Sequence, residues 1–256
     1  MLWALEPVDY ASRVINGKTH LPPLPVRRQA GPLGGLENSG AEFVAYLKLL
    51  CNLMPQSRVL DIGCGFGLLA LYLVDYTREP GRYVGVDVDR RAIRWADAHV
   101  ARRNPRFEFR HLDIRNLAYN PGGELDPKNL RLPFESASFD VIVLKSVFTH
   151  LRPEETRAYM AEIKRLLASD GCCLASVFIF DSAADGASAI DFKFGDETWR
   201  YAVREMPELA IAYSEQALTE IVSSAGLTVT ARYPGTWSGS GGGLSFQDLF
   251  VLKPKR

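Results

Sequence analysis

The stretch Val59-Leu-Asp-Ile-Gly-Cys-Gly-Phe-Gly67 decides how this chain is interpreted, because three glycines follow a short apolar run at alternate positions. Residues 58–62 predict a β-strand and residues 65–77 predict a helix. The glycines therefore lie where a strand turns into a helix. Glycine lacks a Cβ, which lets the backbone turn tightly and approach a ligand closely. The stretch predicts a loop that binds a nucleotide-like ligand.

Strand and helix patterns alternate along the rest of the chain. A helix is predicted from Ser39, which forms a capping-box pattern with Glu42, to about Met54. Later helices are predicted from Asp89 to about Arg103, from Pro153 to Gly171, and from Ser214 to Gly226. Further strands are predicted at 82–87, 107–112, 139–144, 172–180, 227–233 and 244–252.

This alternation predicts the fold class. Strands separated by helices at such spacing form a parallel sheet that is covered by helices on both faces. The last two strands follow each other without a helix, which indicates an antiparallel addition at one end. We therefore expect an α/β, Rossmann-like fold with a seven-stranded, mostly parallel sheet and an antiparallel last strand.

Two regions fall outside the alternation. Residues 1–37 contain several prolines among apolar residues, and we expect an irregular N-terminal arm or lid that packs across the main domain at 38–256. A partly ordered extension is the alternative. Residues 181–213 have no regular pattern, and we expect them to form an insertion that covers the substrate.

Composition limits the possible partners and settings. Basic and acidic residues number 30 each, so the formal net charge is zero. Such a balance supplies no global field that attracts nucleic acid or an anionic membrane. The four cysteines form no C-x-x-C pair and the four histidines lack the spacing of a metal-binding helix. With no leader pattern or membrane-length apolar run, we expect a soluble, cytoplasmic protein without a metal or a disulfide framework.

Two acidic residues limit which kind of ligand the glycine loop can bind. Asp61 precedes the first glycine by two residues, where a carboxylate repels a pyrophosphate and attracts an ammonium group. Asp87 ends the next predicted strand, where it can accept hydrogen bonds from both hydroxyls of a ribose. The spacing G-x-G-x-G also differs from the G-x-G-x-x-G of dinucleotide enzymes. The alternative to a ligand-binding loop is that the glycines only form a structural turn between strand and helix. Asp89, close to Asp87, is best explained as a helix cap.

With these features the chain resembles the class I S-adenosylmethionine-dependent methyltransferases over about residues 57–180. Their pattern is a strand, (D/E)-x-G-x-G-x-G, a helix, a strand that ends in an acid, and an aspartate after the third strand. The resemblance implies that Asp61 and the glycines surround the methionine moiety, that Asp87 holds the ribose, and that Asp113 lies near the adenine. The full cofactor set that it implies is Asp61, Gly63, Cys64, Gly65, Gly67, Asp87, Val88, Asp113, Ile114 and Lys145.

The resemblance also bears on the acceptor. In these enzymes the residues after the fourth strand face the methyl group, here Lys145 to His150. This segment lacks the (N/D/S)-P-P-(Y/F/W) motif of enzymes that methylate base amino groups and the Pro-Cys nucleophile of cytosine C5 enzymes. Several segments resemble a group of bacterial methyltransferases often found with glycan or secondary-metabolite biosynthesis: 119–122, 133–140, 146–151, 235–237 and 246–248. Ser240 stands where that group has an arginine, which leaves the acceptor contacts there open.

His150 is the candidate catalytic residue. The unperturbed pKa of histidine, about 6.5, lets a neutral imidazole take a hydroxyl proton near neutral pH. The alternative is that His150 only caps or packs at the start of the following helix. The candidate acceptor-binding residues are Tyr119, Ser146, Tyr201, Tyr213 and Trp237.

We therefore expect O-methylation of a sugar or other small natural product, with S-adenosylmethionine as donor and S-adenosylhomocysteine as product. N-methylation of a peptide or small amine, and a module that binds the cofactor without catalysis, remain open. An NAD-dependent oxidoreductase is opposed by Asp61 and by the glycine spacing. The oligomeric state stays undetermined at this point.

Overall fold

The structure, a computed structural model, describes residues 2–28, 36–182, 188–239 and 241–255 of the 256-residue chain. Its strands are β1 (Arg58–Ile62), β2 (Arg82–Asp87), β3 (Phe107–His111), β4 (Phe139–Leu144), β5 (Leu167–Val177), β6 (Phe194–Gly195), β7 (Trp199–Tyr201), β8 (Ile211–Tyr213), β9 (Leu227–Tyr233) and β10 (Asp248–Pro254). Its α-helices are α1 (Glu6–Ile15), α2 (Leu24–Arg27), α3 (Leu36–Leu50), α4 (Leu68–Leu73), α5 (Arg90–His99), α6 (Pro153–Leu166) and α7 (Glu215–Ser224).

The main sheet has seven strands in the order β3-β2-β1-β4-β5-β10-β9. Strands β1 to β5 pair in parallel with one another, whereas β10 runs antiparallel to both β5 and β9. The predicted Rossmann-like sheet with its antiparallel addition is therefore confirmed. The strand order reverses beside β1, since β2 and β4 flank it. Open sheets of this type bind ligands at the carboxyl ends of the strands at such a point.

Strand β4 shows how both faces of the sheet are covered. Val141 and Val143 pack in a cluster with helices α3, α4 and α5, whereas Ile142 and Leu144 pack with α6 and α7. All four side chains are buried. Burying one aliphatic side chain contributes about 1.5–3 kcal/mol, so a continuous apolar run is what a central parallel strand needs.

Helices α3 and α4 differ from the prediction at their ends. Helix α3 begins at Leu36, so Ser39 lies inside it and does not cap it. Glu42, the expected partner in that cap, instead accepts a hydrogen bond from the Tyr46 hydroxyl at 2.5 Å. Helix α4 begins only at Leu68, because Gly67 precedes it in the left-handed conformation at φ +81°.

Strand β5 begins earlier than predicted. It starts at Leu167 and not at Cys172, so Gly171 lies within the strand and does not end α6. The pairing between β4 and β5 contains a register shift in this region. A Cβ at Gly171 would lie 3.0 Å from the Ala168 carbonyl oxygen, so this glycine permits a tight irregularity of the strand.

The N-terminal region contains helices, although an irregular arm is predicted over 1–37. Helix α1 accommodates Pro7 in its first turn, where the missing N–H of proline is not needed. Its buried Arg13 forms ion pairs with two acids of the same helix. Val26 of α2 packs with buried residues of the glycine loop, α4 and α5. The region thus contacts the main domain next to the glycine loop.

The region after β5 contains a small antiparallel sheet of β6, β7 and β8. A short 3₁₀ turn at Pro207–Leu209 leads into β8. Strand β10 begins at Asp248, so residues 244–247 of the predicted last strand form a loop before it. Residues 183–187 of the predicted insertion and 29–35 of the predicted arm lie outside the described residues.

Candidate functional site

A cavity of about 660 Å³ lies at the carboxyl ends of β1, β2 and β4, the point where the strand order reverses. Its volume is in the range of about 300–1,000 Å³ that is usual for small-molecule sites. The glycine loop and the segment after β4 form its walls. Val26 of α2, Leu209 and Ala210 before β8, and residues 245–247 before β10 complete the lining.

Hydrogen bonds to β2 shape the glycine loop. The N–H groups of Gly63 and Cys64 donate to the Val86 carbonyl oxygen at 2.8 and 3.1 Å. Gly63, Gly65 and Gly67 have φ values of +75°, +55° and +81°, which residues with a Cβ adopt only with strain. Glycine at all three positions therefore gives the loop its backbone conformation without strain.

Two of these glycines also make room for other protein groups. A Cβ at Gly63 would lie 2.4 Å from the Val147 side chain, and one at Gly67 would lie 2.9 Å from the Phe109 ring. Gly63 and Gly65 line the cavity, whereas Gly67 does not. A sequence pattern cannot separate a glycine that approaches a ligand from one that admits a neighbouring side chain.

Asp87 holds the glycine loop and the start of α5 together. Its Oδ2 accepts a hydrogen bond from the Gly65 N–H at 2.7 Å, and its Oδ1 accepts one from the Asp89 N–H at 2.7 Å. Burial raises the pKa of Asp87, and these backbone hydrogen bonds oppose the rise. Asp89 accepts from the Arg91 N–H and caps α5, as predicted.

Asp61 lies buried at the end of β1, where it contacts a tyrosine hydroxyl and is influenced by the charge of Lys145. The Tyr83 hydroxyl donates to its Oδ2 at 2.5 Å. Burial raises the pKa of Asp61 to about 7, so a modest change in its surroundings can set its charge at neutral pH. Burial also lowers the pKa of Lys145, and the charges of Asp61 and Glu42 oppose that change.

The charged residues of the lining favour a cationic ligand. Acids outnumber bases among them, and an excess of acids attracts a ligand with net positive charge and repels a pyrophosphate. The acids are Glu42, Asp61, Asp87 and Asp89, and the bases are Arg115 and Lys145.

The cavity continues beyond Asp87 along less polar residues. Cys64, Val88 and the buried Ile114 all line it. Burial raises the pKa of the Cys64 thiol well above its usual value, which keeps the thiol protonated and unreactive. Asp113 does not line the cavity, and its Oδ1 accepts a hydrogen bond from the Asn120 side chain at 3.0 Å. Of this predicted pair, only Ile114 reaches the cavity.

Ser146 and Gln247 meet at the side of the cavity after β4. The Ser146 hydroxyl donates to Gln247 Oε1 at 3.0 Å, and the Ser176 hydroxyl donates to the same oxygen at 2.6 Å. Ser146 and Gln247 line the cavity, but Gln247 was not predicted as a site residue. The pairing of β10 with β5 brings it there, and no local pattern reveals that contact.

His150 lies on a 3₁₀ turn, Phe148–His150, and lines the cavity. Its Nδ1 is 2.7 Å from the Glu208 carbonyl oxygen, and its Nε2 is 3.2 Å from the Tyr119 hydroxyl. A carbonyl oxygen can only accept, so Nδ1 carries the proton and the lone pair is on Nε2. Burial lowers the pKa of His150, so its ring is neutral at pH 7.

Tyr119 completes this arrangement. It lines the cavity, and its ring lies edge-to-face with the His150 imidazole at a centroid distance of 5.1 Å. Burial raises the pKa of the Tyr119 hydroxyl, which therefore keeps its proton and donates to Nε2. The sequence predicted these two residues for separate roles, whereas the structure brings them together as one hydrogen-bonded pair.

Three aromatic residues predicted for the acceptor pocket lie outside the cavity lining. The Tyr213 hydroxyl donates to the Leu151 carbonyl oxygen at 2.6 Å. Trp237 is fully buried, and its indole N–H donates to Asp248 at 2.7 Å. Tyr201 packs against neighbouring aromatic rings of the small sheet. Their side chains pack inside the region after β5. Their positions in the sequence do not reveal this packing role.

The family model for the methyltransferase domain matches residues 60–175. This range contains the glycine loop, both acids and His150, and it runs across the five parallel strands of the sheet. The chain carries a methyltransferase domain of the S-adenosylmethionine-dependent type. Within the described residues, the chain has no helix long and apolar enough to cross a membrane and no cluster of three or more His, Cys, Asp or Glu side chains placed to hold a metal ion.

Known proteins resemble this chain in sequence and in fold. Erythromycin 3''-O-methyltransferase of Saccharopolyspora erythraea is 29% identical over 119 residues, 46% of this chain and 34% of that protein. The chain spans only 41% and 64% of the first two curated relatives that it matches.

Two solved structures show the same fold. A protein of Pyrococcus horikoshii superposes with a TM-score of 0.61 and 18% identity, over 87% of this chain and 92% of that one. The 1,6-didemethyltoxoflavin-N1-methyltransferase of Burkholderia thailandensis, which holds its substrate and S-adenosylhomocysteine, superposes with a TM-score of 0.57 and 19% identity, over 99% of this chain and 88% of that one.

Proposed function

We propose that this protein transfers the methyl group of S-adenosylmethionine to a hydroxyl oxygen of a small-molecule acceptor in the cytoplasm. The acceptor is a sugar or another natural product. The observation that carries the proposal is the Tyr119–His150 pair, which lines the same cavity as the cofactor motifs and leaves a proton-accepting nitrogen, Nε2, bonded to the tyrosine hydroxyl. The resemblance to an enzyme named for O-methylation of erythromycin supports this class of acceptor.

The residues of the cavity fit the cofactor. Asp61 would hold the α-ammonium group, and Asp87 would accept hydrogen bonds from the ribose hydroxyls. Val88 and Ile114 would flank the adenine, and Lys145 lies where it can offset the acids. Bound S-adenosylmethionine supplies an electrophilic methyl group on sulfur, and its departure leaves the neutral thioether of S-adenosylhomocysteine. The acidic lining suits a donor whose sulfonium adds a positive charge.

Tyr119 and His150 would together accept the proton that the acceptor hydroxyl loses. As the new oxygen–carbon bond forms, the acceptor hydroxyl passes its proton to Tyr119 Oη. Tyr119 passes its own proton to His150 Nε2, and the resulting imidazolium keeps its Nδ1–H bonded to the Glu208 carbonyl oxygen. General base catalysis of this kind contributes about 10²–10⁴-fold to the rate. Ser146 and Gln247 lie where they can hydrogen-bond a further oxygen of the acceptor.

The experiment that tests the function uses matched acceptors. The purified protein is incubated with S-adenosylmethionine and with pairs of sugars and macrolide glycosides that carry either a hydroxyl or an amino group at one position. We expect release of S-adenosylhomocysteine and a product heavier by one CH₂ with hydroxyl acceptors, measured by mass spectrometry. Turnover only with amines would overturn O-methylation. Cofactor binding without turnover on any acceptor would favour a binding module.

Asp61 makes cofactor binding depend on pH. The pKa of Asp61 is raised by burial to about 7 in the free protein, and an ammonium ligand favours the ionised form. Affinity for S-adenosylmethionine should therefore fall as the pH drops below 7, toward a limit of about tenfold per pH unit. Calorimetry between pH 5.5 and 8.5 measures this dependence. Asp61→Asn should bind more weakly at pH 8 and lose the dependence; an unchanged profile in that variant would remove Asp61 from this role.

A further inference from the structure

Residues 150–152, which follow β4, make four polar contacts with Glu208 and with Tyr213 of β8. His150 Nδ1 donates to the Glu208 carbonyl oxygen at 2.7 Å. The Arg152 guanidinium donates to the Glu208 carboxylate through Nε at 2.9 Å and forms an ion pair through Nη2 at 2.8 Å. The Tyr213 hydroxyl donates to the Leu151 carbonyl oxygen. Glu208 thus contacts this segment through both its backbone and its side chain.

The carboxylate of Glu208 is unusual in its surroundings. The residue is only 4% exposed, and both contacts from Arg152 reach Oε1, while Oε2 has no hydrogen-bond partner among the described residues. Burying a carboxylate with an unpaired oxygen costs stability. An apolar side chain would avoid that cost, so the ion pair of Glu208 with Arg152 needs an explanation beyond packing.

The backbone of Glu208 decides which nitrogen of His150 can act as a base. Its carbonyl oxygen holds the proton on Nδ1, which leaves Nε2 without a proton and directed at Tyr119. If the turn Pro207–Leu209 shifted, Nδ1 would lose its acceptor and the other tautomer would become accessible. In that tautomer Nε2 carries the proton and cannot accept one from Tyr119.

We propose that Arg152 and Glu208 are positioning residues, whose ion pair holds the Pro207–Leu209 turn so that the Glu208 carbonyl fixes His150 as its Nδ1–H tautomer. Neither residue lines the cavity. They act through His150, and the kinetic consequence rests on the proposed O-methylation. The tautomer itself can be measured without an acceptor.

The test is the tautomeric state of His150 in the full-length protein. Nitrogen-15 NMR of histidine-labelled protein at pH 8 distinguishes the tautomers, and His150→Asn assigns the resonance among the four histidines. We expect the wild type to show Nδ1–H alone. Arg152→Gln and Glu208→Gln should each show a mixture, and Arg152→Lys, which keeps the charge, should restore most of the wild-type state.

Glu154→Gln is the matched control, because Glu154 forms an exposed ion pair with Lys128 at the same end of α6. It should leave the His150 resonance unchanged. With an acceptor in hand, the two neutral variants should lower kcat about tenfold or more and leave the affinity for S-adenosylmethionine within a few-fold. An Nε2–H tautomer in the wild type, or an unchanged tautomer in both folded neutral variants, would overturn the proposal. Failure to methylate hydroxyls with the tautomer as expected would reject the function alone.

Discussion

Asp87→Ala is expected to weaken the binding of S-adenosylmethionine by about 100-fold or more, because it would remove the two charge-assisted hydrogen bonds that we propose Asp87 accepts from the ribose, each worth about 1.5–3 kcal/mol. The change also frees the Gly65 and Asp89 N–H groups that Asp87 now binds, so the loop itself loses its anchor. Isothermal titration calorimetry measures the affinity directly.

Two further variants make this prediction specific. Asp87→Asn keeps the size of the side chain and should give a smaller but clear loss, which separates the role of the charge from any effect on folding. Asp97→Ala removes an exposed acid of α5 that does not line the cavity, and it should leave the affinity unchanged. Wild-type affinity in Asp87→Ala would exclude Asp87 from the ribose site.

His150→Ala is expected to lower kcat by about 10²–10⁴-fold with little change in the affinity for S-adenosylmethionine. The reason is that Nε2 is the only lone pair offered to Tyr119 by the imidazole. Tyr119→Phe should also lower kcat, since the proton path then lacks its first member. Steady-state kinetics with an identified hydroxyl acceptor, alongside calorimetry of the donor, measure both quantities.

His99→Ala is the control for the His150→Ala and Tyr119→Phe variants. His99 is exposed on α5, stacks on Trp95 and does not line the cavity, so its removal should leave kcat unchanged. Full activity of His150→Ala would reject it as the base and leave only a packing role. A loss of donor affinity as large as the loss of kcat would show that the substitution disturbs the cofactor site.

The sequence was sufficient for the features that depend on local pattern. Strands β1, β2 and β4 were predicted with their observed bounds, because each is an apolar run with a distinct end. The start of α6 at Pro153 and the cap of α7 at Ser214 were also correct. The predicted ends of helices were wrong where one local pattern is compatible with two different structures. Gly171 can end a helix or bend a strand, and Ser39 can cap a helix or lie within one.

The candidate site likewise contains residues that the sequence could place and residues that it could not. Residues at the carboxyl ends of the strands, such as Asp61, Asp87 and His150, could be placed because topology brings these ends together. Gln247 and Glu208 could not, because their positions depend on how distant segments pack against β5 and the segment after β4. Trp237 was assigned to the acceptor pocket from an irregular stretch, yet the buried Asp248 holds it in the core.

The arrangement of the cavity explains why one fold can serve donor and acceptor together. The reversal of strand order beside β1 separates the loop before α4 from the segment after β4, and the cavity fills the space between them. The two acids proposed to hold the donor, Asp61 and Asp87, end β1 and β2, while Tyr119 and His150 come from the loops after β3 and β4. Changes to the acceptor side can therefore leave the donor side intact.

A crystal structure of the protein with S-adenosylhomocysteine tests the central claim most directly. We predict the ribose hydroxyls within hydrogen-bond distance of Asp87, the α-ammonium group near Asp61, and the sulfur open toward Tyr119 and His150. A ligand bound outside this cavity, or one whose sulfur faces away from the Tyr119–His150 pair, would contradict the account.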